Sequence, residues 1–205
     1  MIALDHIAIS GETLAAAQAH VEKALGVELQ SGGQHDVFST HNALLGLEDG
    51  LYLEAIAVNP AAPAPERPRW FDLDRFAGPP RLTNWICRSD KLDQALANLP
   101  VDMGKPVDLR RGNLRWRMAV PQSGILPFDN MAPALIEWQT TDHPAKRLMP
   151  SGVRLSRLTV RHPEAEFLRD LLVSHLQDDR IVYETGASGL SAEFETPHGI
   201  RVLTG

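Results

Sequence analysis

Cys87 is the only cysteine in 205 residues. An intrachain disulfide framework and a thiolate metal cage are thereby excluded, so any metal must be held by histidine, carboxylate or amide oxygen. No apolar run is long enough to cross a bilayer, and the first residues lack the basic, apolar and small-residue succession of a signal peptide. The expectation is a soluble cytoplasmic protein with no membrane partner. Cations are the minority: 20 Lys and Arg stand against 26 Asp and Glu, for a formal charge of -6 and no long basic stripe. Nucleic acid, which demands such a stripe, is not an expected partner.

What the chain does have is 43% hydrophobic residues, enough for a sizeable core. Their spacing repeats one pattern. "IALDHIAI" alternates like a strand, and Leu14, Ala17, Val21 and Leu25 then recur at helical spacing, with Ser10 a candidate N-cap and Gly26 a stop. "VELQSG", "HNALLGL" and "LYLEAIAV" are strand-like and separated by turn residues, so residues 1–58 read βαβββ. The proline-rich run that begins "NPAAPAPERPRW" reads as a linker over residues 59–80. A second βαβββ unit follows over 81–148, and a third, βαβββ-like, over 153–205, its helix opening near Pro163.

When the first strands of the three units are aligned, His6, Asn84 and Arg157 share one position. Alignment of the last strands places Glu54, Glu137 and Arg201 together. A slip of one residue would send any of these side chains to the other face.

Repeated βαβββ units with a ligand-type residue in the first strand and Glu in the last resemble the vicinal oxygen chelate superfamily. The segments "LDHIAI", "GGQHDVFSTHNALLGL", "YLEAIAVNP", "RGNLRWRMAVP" and "LPFDNMAPALIEWQTTDHPA" resemble its glyoxalase-like domain family, and the resemblance covers nearly the whole chain. It implies an α+β fold in which the units form curved, mainly antiparallel, barrel-like sheets around a concave site. It also implies a small oxygenated organic ligand and one divalent metal ion held by His6, Glu54 and Glu137. On that reading the protein is a metal-dependent lyase or isomerase with Glu54 and Glu137 catalytic. Asn84 occupies the fourth ligand position, where an amide is a weak ligand for zinc or iron. That departure supports the alternative, a metal-free protein that binds or sequesters a small molecule.

The residues themselves leave further readings open. Strand alternation puts His6 with Leu4 and Ala8, and Glu54 with Tyr52 and Ile56. His6 is then a metal ligand, a pocket wall or a satisfied core imidazole, and either glutamate could be a buried carboxylate neutralised by Arg115, Arg117 or Arg157. His35 and Asn42, flanking a Gly32–Gly33 pair, are candidate substrate contacts with Asn84, and Arg117 is a candidate carboxylate clamp. Arg157 and Arg201 cannot ligate a metal, so the third unit completes a sheet, covers an edge or meets its twin in a homodimer.

Overall fold

The computed structural model describes residues 1–205. The first unit runs β1 (Ala3–Ser10), α1 (Leu14–Leu25), β2 (Gln30–His35), β3 (Thr40–Gly46) and β4 (Tyr52–Val58). Thr13, not Ser10, caps α1: its hydroxyl accepts from the Ala16 amide at 3.1 Å, while Ser10 ends β1 and bonds Thr83. Gly26 closes the helix in the left-handed region, φ 73°, where a side chain would be strained. The second unit runs β5 (Arg81–Arg88), α2 (Leu92–Ala97), β6 (Lys105–Arg111), β7 (Leu114–Val120) and β8 (Ala134–Trp138).

These eight strands make one curled sheet in the order β2-β3-β4-β1-β5-β8-β7-β6. Each half places its first strand parallel to its last, and the halves join through the antiparallel pair β1 and β5. The order therefore reads the same outward from that pair, as a duplicated unit requires. The outer strands curl until β2 and β6 meet, where a Cβ on Gly33 would come within 2.4 Å of the Arg111 side chain.

The third unit, β9 (Arg154–His162), α3 (Ala165–Leu172), β10 (Ile181–Thr185), β11 (Gly189–Thr196) and β12 (Gly199–Thr204), has the same element order and a different topology. Its first strand is parallel to β10, the strand just after the helix, giving the separate sheet β10-β9-β11-β12. Hydrophobic periodicity reports elements one at a time and is blind to which strands pair. This sheet packs against β5 and α1, and its Leu158, Phe194 and Leu203 belong to one continuous core with Ile7, Leu53 and Trp85.

The proline-rich stretch is more than a spacer. It carries a single 3-10 turn, Trp70–Asp72, whose Trp70 and Phe71 are buried and lie over the concave face.

Candidate functional site

The concave face is built around an irregularity in β1. Leu4 pairs with Cys87 and His6 with Ile86, so Asp5 is an extra residue with no partner on β5. Such a β-bulge breaks strand alternation and lets two consecutive side chains meet. Asp5 Oδ1 lies 2.6 Å from His6 Nδ1. The other Asp5 oxygen accepts from His143 Nε2 at 2.8 Å and Trp138 Nε1 at 3.2 Å, with Arg88 3.6 Å away.

From His6 the network continues across the sheet. The imidazole stacks on Tyr52 with centroids 4.2 Å apart, and its Nε2 faces Glu54 Oε2 at 3.7 Å, an ion-pair contact longer than a hydrogen bond. Glu54 Oε1 accepts from Asn42 Nδ2 at 2.5 Å and lies 4.0 Å from His35 Nε2. Asn42 Oδ1 accepts from the Gly33 amide at 2.8 Å and from Arg111 at 3.2 Å. The bare backbone at Gly32 admits that amide, since a Cβ there would fall 2.0 Å from Asn42 Oδ1. His6, His35, Asn42, Tyr52, Glu54 and Arg111 all face one cavity of about 30 Å³, closed by Trp70, Phe71, Trp116, Trp138 and Pro144. That volume holds about one water.

Burial decides the charges. It pushes the Asp5 carboxyl up, but hydrogen bonds from His143 and His6 prevail and hold it well below the usual carboxylate range. Burial pushes the His6 imidazole down, and its bond to Asp5 and the nearby Glu54 carboxylate outweigh this, leaving it raised. Glu54 is likewise pushed up by burial and brought below its ordinary value by His6, His35 and Asn42. The two carboxylates on either side of His6 thus favour its protonated form.

His35 goes the other way. Burial lowers its pKa from 6.5 to about 4, with the Arg111 and His6 charges acting in the same direction and Glu54 against them. A group whose folded pKa is depressed gives stability that is full above its unfolded pKa and lost as pH falls through the folded one. The window is therefore pH 6.5 down to about 4. Over that window the neutral ring accounts for a loss of about 3 kcal/mol. Urea unfolding of His35→Gln at several pH values should show an acid limb flatter than wild type by that amount. Equal slopes would mean that His35 protonates freely in the folded protein.

Three expected site residues, Arg117, Glu137 and Asn84, lie outside the cavity lining. Arg117 and Glu137 are cross-strand partners on the face opposite Trp116, Met118, Ile136 and Trp138, which look into the cavity. The alignment of Glu137 with Glu54 therefore puts it on the wrong face, as any odd-numbered slip of register does. Arg117 pairs with Glu137 at 2.6 Å and Asp93 at 2.8 Å, and Glu137 accepts from the Leu92 amide at the start of α2. Glu137→Ala should therefore cost about 1 kcal/mol through the lost helix cap and leave ligand binding unchanged, as thermal melts and titrations would show. Asn84 is fully buried with neither amide atom bonded, in register with Ala8, whose other neighbour is Glu54. Arg157 and Arg201 lie in the separate four-stranded sheet.

The metal expected from the resemblance needs several donors at one point. His6 and His35 face different oxygens of Glu54, one of which the Asn42 amide already engages, and Glu137 is on the far face. No group of three or more His, Cys, Asp or Glu side chains is placed to hold a metal ion. The residues present do not fit the expected ion.

Sequence reasoning missed Asp5, Arg111, His143 and the Trp70–Phe71 cover. Only the Gly32–Gly33 pair, which makes room for Asn42 and Arg111, left a readable sign in the sequence.

Comparison with known proteins gives the family. The glyoxalase-like domain model matches residues 4–176. No curated protein matches. Among solved structures, a hypothetical protein from Staphylococcus aureus is 14% identical over 92% of this chain and 88% of its own, with a TM-score of 0.61. Methylmalonyl-CoA epimerase from Mycobacterium tuberculosis is 20% identical over 70% of this chain and 91% of its own, with a TM-score of 0.44. A curled sheet of two βαβββ units accompanies a family match over most of the chain's length, and that match establishes that the chain belongs to the glyoxalase-like domain family.

Proposed function

We propose that the protein binds a small oxygenated organic molecule in this cavity and acts on it as an acid–base lyase or isomerase without routing a step through a metal. The observation that carries this reading is the buried pair of His6 and Glu54, 3.7 Å apart inside an apolar, aromatic wall, each with its charged form favoured by the other. Glu54 takes the proton from a carbon next to a carbonyl, and the electron pair moves into the carbonyl oxygen. His6 Nε2–H donates to that oxygen as negative charge develops there. Returning the proton to carbon completes an isomerisation. Expelling a β-substituent instead completes a lyase reaction.

Asp5 is a positioning residue. It holds His6 Nδ1 and so directs Nε2 at the ligand.

Glu54 held below its ordinary pKa is a weak base, and this favours a second reading, sequestration of the same ligand without turnover. Incubation in D₂O with a panel of small 2-oxo and 2-hydroxy carbonyl compounds, followed by proton NMR, separates the two. Enzyme-dependent loss of a signal next to the carbonyl supports chemistry. Binding without exchange supports sequestration.

A further inference from the structure

The cavity contains a cation with no counter-ion in the chain. Arg111 ends the edge strand β6, and its side chain crosses the bare backbone of Gly33 on β2 to reach the cavity wall. Its only hydrogen bond is to the neutral Asn42 amide, and no carboxylate stands within 4.0 Å. Other arginines, Arg67, Arg110 and Arg115 among them, also have no carboxylate within 4.0 Å, but Arg111 is the arginine that lines the cavity. Glu54 is turned away toward His6, and Asn42 stands between the two charges with its oxygen on Arg111 and its nitrogen on Glu54. The guanidinium therefore keeps a planar fork of donors for something that enters the cavity.

We infer that the ligand is a small organic carboxylate whose anionic group is bound by Arg111, with the proton-bearing carbon beside its carbonyl presented to Glu54 and His6. The inference rests on the acid–base reading of the cavity and names its substrate class. Asn42 then works as a spacer, bonded to the anion site on one side and to the base on the other. A carboxylate suits the site because guanidinium and carboxylate match through two parallel hydrogen bonds.

The test uses matched probes, pyruvate and lactate against pyruvamide and lactamide, titrated into the intact protein by NMR. The acids should bind at least about tenfold more tightly than their amides, and Arg111→Gln should remove that gap. Arg111→Lys, which keeps the charge without the fork, should retain part of it. Gly33→Ala, whose methyl would meet the Arg111 side chain, should weaken acid binding in a protein that still folds. Equal binding of acids and amides, no binding of either acid at tens of millimolar, an unchanged gap in Arg111→Gln, or displacement of the acids by inorganic phosphate at equal concentration would each overturn the inference. Acid binding that depends on Arg111 but is accompanied by no proton exchange would leave the anion site standing and remove the acid–base reading alone.

Discussion

Asp5→Ala should lower the unfolding temperature further than any substitution on the α2 face of the sheet. Asp5 is fully buried and accepts from His6, His143 and Trp138. Its removal strands those three donors and leaves the His6 imidazolium with only a 3.7 Å contact to Glu54. Breaking a buried ion pair from one side costs about 3 to 5 kcal/mol, which for a domain of this size is roughly 6 to 20 °C. Asp5→Asn keeps the volume and one acceptor, and should fall between.

The pH dependence has a definite sign. Asp5 is depressed in the folded state, so its stabilisation is present above the ordinary carboxylate pKa of 3.8 and lost as pH falls through the folded value. His6 is raised, so its share is full below 6.5 and lost as pH rises through its folded pKa. An Asp5→Ala melt within about 2 °C of wild type at pH 7 would show that the pair is not charged.

Glu54→Gln should abolish proton exchange while sparing binding. Glutamine has the size of glutamate and can still accept from the Asn42 amide, but it cannot take a proton from carbon. General-base catalysis contributes about 10² to 10⁴-fold, and exchange should fall by that factor while affinity for the carboxylate probes changes only a few-fold. Should exchange persist in Glu54→Gln, the base is another group. His6→Ala would be less informative, because it leaves Asp5 and Glu54 as buried carboxylates without their cation and damages the fold together with the site.

The reasons for the partial legibility of this site are physical. His6 and Glu54 were readable from strand alternation, and His35 and Asn42 from the Gly32–Gly33 pair that precedes them; the structure brings all four to one cavity. Asp5 was hidden by the same rule, since the bulge beside His6 depends on pairing with residues eighty positions away. Glu137 and Arg117 were misplaced because the two last strands, β4 and β8, resist alignment by apolar pattern alone. On β8 it is Ile136 and Trp138 that face the cavity, as Tyr52 and Glu54 do on β4. Arg111 gave no signal of its own, since its role comes from the closure of β6 onto β2. The repeat was readable as element order in all three units, but the sheet of the third unit is connected differently, and only pairing reveals that.

The central claim is that His6 is an imidazolium held between Asp5 and Glu54, and its ring nitrogens report on this directly. In protein labelled with ¹⁵N-histidine and observed from pH 5 to 9, both His6 nitrogens should appear protonated at pH 7, with a midpoint above the ordinary 6.5. A neutral single-tautomer ring at pH 7, a midpoint below 6.5, or a ring nitrogen shifted by bound metal in protein purified without chelator would contradict the account.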